Sequence, residues 1–376
     1  MIRVLHVIGS LNYGGSQALV LSLLKEARKK GVVFDLIIDK DNELQLKHEF
    51  EKLGSKIYCL PELKWNNIFK YIKQWDDFFH KHPQYEIIHG HVRSTASIYL
   101  KIAKKNGLYT IIHSHSTTAG KGIKAIIKKI LQFFIKYVAD YYLACSKESG
   151  IWLYGKKIVK NKNYKILNNG IDYYKYKYNE KVRKQFRDKL GITTKDFIIG
   201  HVGRFHWLKN QIFLIYILKE AKKINRNAKL ILVGNTVDET YEKIKNTIKE
   251  NDLEENVIIY GPTNDVSKIY NAMDCFVFPS IHEGLPISVV EAQTNGLKCY
   301  ISDSISKEVI ISDNIKYISL KQSAEEWANL IINSNNSRIK NIYNKKYDIK
   351  YSAEWLTDFY NNILRNRRKN ETIVRN

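Results

Sequence analysis

One segment concentrates carboxylates, a glycine and a helix start able to hold a polar ligand: Phe278-Pro279-Ser280-Ile281-His282-Glu283-Gly284-Leu285-Pro286-Ile287-Ser288-Val289-Val290-Glu291. Pro286 reads as the first helical residue and Gly296 as the stop. Glu283 then lies in the loop before the helix, and Glu291 projects from the second turn. Gly284 lets a ligand approach the amides of Gly284, Leu285 and Ile287. Glu291, acceptor only, suits the two hydroxyls of a ribose, and Glu283 suits a sugar or a developing positive charge. The plain alternative is a helix-dipole carboxylate and a surface glutamate. Upstream, His201-Val202-Gly203-Arg204 closes a strand and Phe205-His206-Trp207-Leu208-Lys209-Asn210 enters a helix. Arg204 offers a planar donor fork and Lys209 a point charge, a pair suited to a diphosphate; two solvated loop cations are the alternative.

Three further sites have matching chemistry. Gly9-Ser10-Leu11-Asn12-Tyr13-Gly14-Gly15-Ser16 opens a helix and is neither a dinucleotide fingerprint nor a P-loop. Its free amides favour an anion, and a tight strand-to-helix turn explains the glycines equally well. His113-Ser114-His115 and His89-Gly90-His91 are His-x-His pairs at strand ends. Such a pair suggests a metal, but no third ligand is near in sequence, so a metal-free reading is preferred. Asp39-Lys40-Asp41 matches an Asp-x-Asp cation motif after a strand.

These groups need strand ends to hold them. Strands are expected at Arg3–Ile8, Phe34–Ile38, Lys56–Leu60, Ile87–His91, Thr110–His113, Tyr141–Ala144 and Lys165–Leu167, with helices between, such as Ser16–Lys30. A second set follows at Phe197–Val202, Leu230–Val233, Val257–Tyr260, Cys275–Phe278 and Lys298–Ile301. Helices Gln211–Ile224, Asp238–Glu250 and Pro286–Asn295 alternate with them. The expectation is an α/β chain of two Rossmann-like, doubly wound parallel-sheet domains, 1–180 and 181–352, facing a cleft. Tyr173–Lys195 reads as the linker. The amphipathic piece Ala353–Leu364, extending over 353–366, is expected to pack back on the first domain, with Arg365–Lys369 as a frayed tail.

The 376 residues include 61 Lys and Arg against 38 Asp and Glu, a formal net charge of +23. Compositional drift spreads such charge over solvated faces; the sharper readings are nucleic acid, an anionic membrane or an anionic substrate. No nucleic-acid fingerprint is present, so no nucleic-acid partner is expected. No run reaches the ~18 apolar residues of a membrane span, and Met1–Ile8 reads as a strand and not a signal peptide. Cys59, Cys145, Cys275 and Cys299 are scattered without Cys-x-x-Cys, which fits a reducing cytoplasm. Lys121–Val138 carries Ile123, Ile126, Ile127, Ile130, Phe134 and Tyr137 at helical spacing, with Lys121, Lys124 and Lys128 on another face. Either a core helix or an interfacial helix on anionic lipid satisfies that pattern.

In order, Gly14-Gly15, Ala139-Asp140…Ser146, Asn168-Asn169-Gly170-Ile171-Asp172, Gly203-Arg204…Lys209-Asn210, Leu232-Val233-Gly234 and Glu283-x7-Glu291 resemble the retaining glycosyltransferases of family 4, with the B-type two-Rossmann fold. The nearest likeness is to bacterial capsular and exopolysaccharide transferases, and it covers nearly the whole chain. The resemblance implies donor contacts from Gly14, Gly15, Arg204, Lys209, Gly284, Leu285, Ile287 and Glu291. It places Glu283 and a strand-end histidine at the catalytic centre, His113 preferred and His115 the alternative. It further implies a nucleotide-sugar donor, UDP-linked, and a lipid-linked glycan acceptor. No metal or other cofactor is expected, and the enzyme would work at the inner face of the cell membrane. One departure is Gly14-Gly15-Ser16-Gln17, where many relatives have Gly-Gly-Ala-Glu. A sugar-nucleotide epimerase of the same fold and a non-catalytic basic adaptor are the alternative functions.

Overall fold

The computed structural model describes residues 1–12, 14–39, 44–115, 123–235, 239–263, 266–340 and 342–375. The chain forms two compact units, Met1–Ile171 with Lys345–Asn376, and Asp172–Asn344. Each is built on one parallel sheet. In the first unit the strands are β1 (Ile2–Gly9), β2 (Val32–Ile38), β3 (Ile57–Cys59), β4 (Ile87–Gly90), β5 (Tyr109–Ser114), β6 (Tyr141–Ala144) and β7 (Tyr164–Ile166), in the order β3-β2-β1-β4-β5-β6-β7. In the second they are β8 (Phe197–Val202), β9 (Ala228–Val233), β10 (Val257–Tyr260), β11 (Cys275–Phe278), β12 (Lys298–Ser302) and β13 (Ile315–Ile318), in the order β10-β9-β8-β11-β12-β13. The expected fold class is therefore the observed one. β13, absent from the sequence reading, is a short edge strand whose Ile315-Lys316-Tyr317-Ile318 shows no clear alternation.

Parallel strands covered on both faces need nearly continuous apolar runs, and β2 is buried along its whole length. In the first unit, Val4, Ile8, Phe34, Ile87, Ile111 and Leu143 face one way and pack with Leu356 and Tyr360. Leu5, Val7, Ile88, Ile112 and Tyr142 face the other way and pack with Trp75, Tyr99 and Leu100. The C-terminal helix runs from Ile349 to Arg375 and packs against the helix Gly15–Arg28 of its own unit. The stretch expected to fray is thus helical, and Arg367 donates to the carbonyls of Glu86 and Gly107.

The domain limits differ from the sequence expectation. The presumed linker Tyr173–Lys195 holds the helices Tyr173–Tyr176 and Glu180–Lys189, both within the second unit. Its charges have specific partners that local sequence does not reveal. Arg183 Nη2 lies 2.5 Å from Asp274 Oδ1 and Arg187 Nη1 lies 3.2 Å from Asp274 Oδ2. The same guanidinium groups donate to the carbonyls of Asn271, Ala272 and Met273, and Asp274 Oδ2 accepts from the Ile198 amide. One carboxylate thus fastens a helix to the start of two strands. Asp274→Ala leaves Arg187 nearly buried without its counter-ion, and should cost about 3 kcal/mol of unfolding free energy in urea titration. A loss below roughly 1 kcal/mol, the range of exposed pairs, would show that the clamp is not structural.

Candidate active site

In the second unit, β8 and β11 are adjacent and their ends carry the expected cations and carboxylates. Gly203 follows β8. A Cβ on Gly234 would lie 2.0 Å from the Gly203 carbonyl oxygen, so this crossing admits only glycine there. The exposed Arg204 has its carbonyl fixed by Gln211 Nε2 at 2.8 Å. A short turn, Trp207–Lys209, leads through Asn210, in the left-handed region at φ 58°, into the helix Gln211–Ile224.

The structure brings Lys209 and Glu283 together. Lys209 Nζ lies 2.5 Å from Glu283 Oε1, and that oxygen also receives the Ser280 hydroxyl at 2.8 Å. Lys209 Nζ stands 4.9 Å from the centre of the Phe278 ring as well. The segment between them is tied down by the Ile281 amide donating to the Leu208 carbonyl at 2.8 Å. Pro286 is the residue before the helix and not its first, because its backbone is extended; helix Ile287–Thr294 begins without a side-chain cap. Gly284 and Ile287 are partly exposed and Leu285 is buried. Glu291 is part-buried, and its Oε2 accepts from the Tyr270 hydroxyl at 2.8 Å. Burial pushes its pKa up, against the opposing pull of Tyr176, Tyr270 and Lys175.

One polar neighbour was not singled out from sequence. His201 is buried under this loop, donates from Nδ1 to the Val277 carbonyl at 3.0 Å, and stacks on Phe278. Burial holds its pKa down at about 3, so the ring is neutral beside Lys209. Alternation along β8 and the terminal Gly203 were the only sequence signals for it.

In the first unit, Gly9 turns the chain after β1 at φ +71°. Gly14 precedes the helix Gly15–Arg28, and a Cβ on it would lie 2.6 Å from Gln17 Oε1. Gln17 donates from Nε2 to the Ser10 carbonyl at 3.3 Å and closes the loop. A carboxylate cannot make that bond. Asp39 donates its amide to Gly9, while Lys40 and Asp41 of the Asp-x-Asp motif lie outside the described residues.

The histidines gain partners that linear spacing hid. His6 pairs with His89 across β1 and β4, and His89 with Ile111 across β4 and β5. Side chains two residues apart share a face of a sheet, so His6, His89, His91, His113 and His115 all project from one face. His6, His89 and His113 have no exposed surface, while His115 is partly exposed. Burial depresses all five, His6 to about 3 and His115 to about 4. Two groups of three, His6 with His89 and His91, and His91 with His113 and His115, have nitrogens within 4.8 Å of one another.

A family model described as Glycosyltransferase Family 4 matches residues 13–174, and one described as Glycosyl transferases group 1 matches residues 182–349. The chain belongs to the glycosyltransferases that pair these two domains. The transferase is 27% identical over 334 residues to Bacillus subtilis (strain 168) EpsF, covering 88% of this chain and 86% of that protein. It is 26% identical over 370 residues to the Staphylococcus aureus capsular polysaccharide biosynthesis glycosyltransferase CapH, covering 96% and 99%. The Escherichia coli UDP-Gal:alpha-D-GlcNAc-diphosphoundecaprenol alpha-1,3-galactosyltransferase shares 22% over 313 residues, 76% of this chain and 78% of that one. The crystal structure of Anabaena Alr3699/HepE in complex with UDP and glucose superposes with a TM-score of 0.74 at 17% identity, covering 95% of each chain. The fold of the transferase is thus the B-type arrangement of two Rossmann-like domains.

The transferase also carries an exposed apolar stripe. Ile126, Ile130, Phe133, Phe134 and Tyr137 are each half or more exposed, so the helix Ile123–Phe133 and its continuation Ile135–Val138 do not bury the face expected for a core helix. Lys128 and Lys129 are exposed beside it, and Lys136 Nζ lies 3.6 Å from the centre of the Phe133 ring. Lys121 lies outside the described residues, as do the side chains of Ile123, Lys124 and Ile127. Among the described residues no helix is long and apolar enough to cross a membrane.

The buried histidines make an acid-stability prediction. An unfolded histidine takes up a proton near pH 6.5, whereas these stay neutral in the fold. The unfolded chain therefore binds more protons as pH falls, and stability falls with it. Between pH 7 and 5.5 the loss should be roughly 1 kcal/mol for each such histidine. Urea titrations at the two pH values measure it, and unchanged stability would contradict neutral burial.

Proposed function

We propose that this enzyme transfers a sugar, with retention of anomeric configuration, from a UDP-linked donor to a lipid-linked glycan during assembly of a capsular or other surface polysaccharide. The observation that carries the reading is the Lys209–Glu283 ion pair at the ends of β8 and β11, beside an uncapped helix start. A diphosphate takes over Lys209 as counter-ion, with Arg204 beside it, and frees Glu283 to receive a donor-sugar hydroxyl. The amides of Gly284, Leu285 and Ile287 meet the remaining charge. Glu291, steered by Tyr270, takes the ribose hydroxyls. Gly14, Gly15 and the partly exposed His115 line the acceptor side of the first unit, and His113, the histidine preferred from sequence, has no exposed surface and packs against His115 instead.

The reaction breaks the bond between the anomeric carbon and the diphosphate and forms one to the acceptor oxygen on the same face. The leaving phosphate oxygen takes the acceptor proton. Fixed cations and helix-end amides stabilise the leaving group, so transfer should need no divalent ion and should persist in EDTA. The UDP-bound Anabaena structure and the named substrates of the E. coli relative support the donor and acceptor classes.

Two measurements check this reading. Lys209→Ala should weaken donor interaction by about 1.5–3 kcal/mol, the scale of a charged hydrogen bond, and Glu291→Gln should weaken binding of free UDP. Calorimetric titration in which both variants bind UDP like the wild type would overturn the site; donor consumed with no acceptor present would indicate an epimerase. For the membrane partner, the stripe from Ile126 to Tyr137 enters an anionic lipid surface with Lys128, Lys129 and Lys136 on the headgroups. Wild-type protein should sediment with anionic vesicles at low salt and release as salt rises. Lys128→Glu with Lys129→Glu should abolish sedimentation, and equal sedimentation of this variant would sink the surface assignment.

A further inference from the structure

A second exposed apolar face lies on another helix of the first unit. Helix Ile68–Lys81 buries Tyr71, Trp75, Phe78 and Phe79, which pack with Tyr99 and Leu100. On the adjoining side of its first two turns Ile68, Phe69 and Ile72 are exposed, and Trp65 stands exposed just ahead of them. Ile72 is three residues from Phe69 and four from Ile68, so the three are neighbours on the helix surface. Trp65 is 89% exposed and Phe69 85%. The turn that carries Trp65 is closed: Asn67 Oδ1 accepts from the Lys64 amide at 2.7 Å, and Asn67 Nδ2 donates to the Glu62 carbonyl at 2.9 Å. The Asn67 carbonyl then accepts from the Tyr71 amide at 2.8 Å and opens the helix. Single exposed apolar residues are ordinary, but four between positions 65 and 72, two of them aromatic and almost fully in water, mark an interaction surface.

The surroundings select the partner. Lys64, Lys70 and Lys73 are exposed among these side chains, Glu62 is the one acid from residue 62 to 73, and Asp76 and Asp77 follow only in the third turn. A second copy of the chain would set these lysines against themselves across a two-fold axis. A stable protein interface takes roughly 20–30 residues a side, far more than this patch offers. Aromatic rings with lysines beside them suit the boundary between headgroups and acyl chains. The placement fits as well. Helices Ile68–Lys81 and Ile123–Phe133 both pack on helix Ala96–Lys105, so the two exposed faces belong to one layer on one side of the sheet. Tyr71 lines a small cavity with Gly9, Asp39 and Val92, at or just past the ends of β1, β2 and β4, which puts the start of its helix at the strand ends where the histidines gather.

We infer that Trp65, Ile68, Phe69 and Ile72 enter the acyl region of an anionic bilayer as a second contact beside the stripe from Ile126 to Tyr137, with Lys64, Lys70 and Lys73 on the headgroups. The inference rests on the membrane partner proposed above for the surface, and on the exposure of this one helix for the place. Two weak contacts on one packed layer reinforce each other, because the second forms without a new encounter. They also fix the tilt that a single helix leaves free, and so hold the strand-end edge of the first unit close to the bilayer from which a lipid-linked glycan projects.

The test uses the full-length protein and vesicles of phosphatidylglycerol and phosphatidylethanolamine with brominated acyl chains, which quench a nearby indole. Wild-type protein should lose tryptophan emission on these vesicles. Trp65→Phe stays apolar and should sediment with them, yet at least half of the quenching should vanish. The stripe from Ile126 to Tyr137 contains no tryptophan and cannot supply the signal. Equal quenching of the two proteins on vesicles that sediment both overturns the inference. Trp65→Asp with Phe69→Asp should weaken vesicle binding roughly tenfold or more, and the urea midpoint should stay at the wild-type value because both side chains are exposed. Unchanged vesicle binding by that folded variant overturns the inference, as does a wild-type dimer in equilibrium sedimentation that the variant dissociates. Should the double variant fail to fold, the quenching of Trp65→Phe decides. Wild-type protein that does not sediment with anionic vesicles would overturn the membrane partner and this contact together, whereas sedimentation without quenching at Trp65 strikes this contact alone.

Discussion

A parallel sheet covered on both faces leaves few places for polar side chains, and the ends of its strands are the main ones. Strand interiors must be apolar, as the fully buried β2 is. Backbone groups at the carboxyl ends run out of ladder partners, and the following helices start there with free amides. Both units obey this constraint, and their candidate residues gather accordingly: His89, His91, His113 and His115 at the ends of β4 and β5, and Gly203, Arg204, Lys209 and Glu283 after β8 and β11. β1 and β8, each an interior strand of its sheet, carry a glycine at or just past the end, which lets the chain turn sharply.

The two units solve the electrostatics of that edge in opposite ways. The second keeps full charges, at the surface or only part-buried, and balances Lys209 against Glu283 at 2.5 Å. Such a pair is only partly desolvated, so a polyanion can replace the carboxylate without leaving a bare buried charge. The first unit keeps its rings neutral by burial and hydrogen-bonds His6 to His91 and His91 to His115. A network of neutral donors and acceptors costs less to bury the more of its members are satisfied, and Tyr360, from the helix at the far end of the chain, gives His89 and His6 a hydroxyl partner.

Much of this was legible in the residues. Turn glycines and apolar runs marked twelve of the strands, and the limits of β6, β8, β10 and β11 agree residue for residue with the expectation. Arg204 with Lys209, and Glu283 with Glu291, stood out as candidates because their types and spacing within two short segments already limit what they can do. The histidine chain was not, since its members come from three strands and a helix, and only the β1–β4–β5 adjacency makes neighbours of residues 6, 91 and 115. The supposed linker was misread for a related reason: Arg183 and Arg187 look solvated until Asp274 is brought to them by the fold.

Net charge of +23 is a weak statement taken as a whole, because a basic chain can place its lysines anywhere. It gains content where the same segment exposes large apolar groups. Isolated exposed hydrophobic residues are ordinary on soluble proteins, but Ile126, Ile130, Phe133, Phe134 and Tyr137 lie within twelve residues and share their surroundings with Lys128, Lys129 and Lys136. Water alone disfavours that grouping. An anionic interface favours both halves of it, since acyl chains receive the rings and headgroups receive the lysines. A lipid-linked acceptor would require the catalytic unit to work at such an interface, so the stripe and the proposed acceptor account for each other.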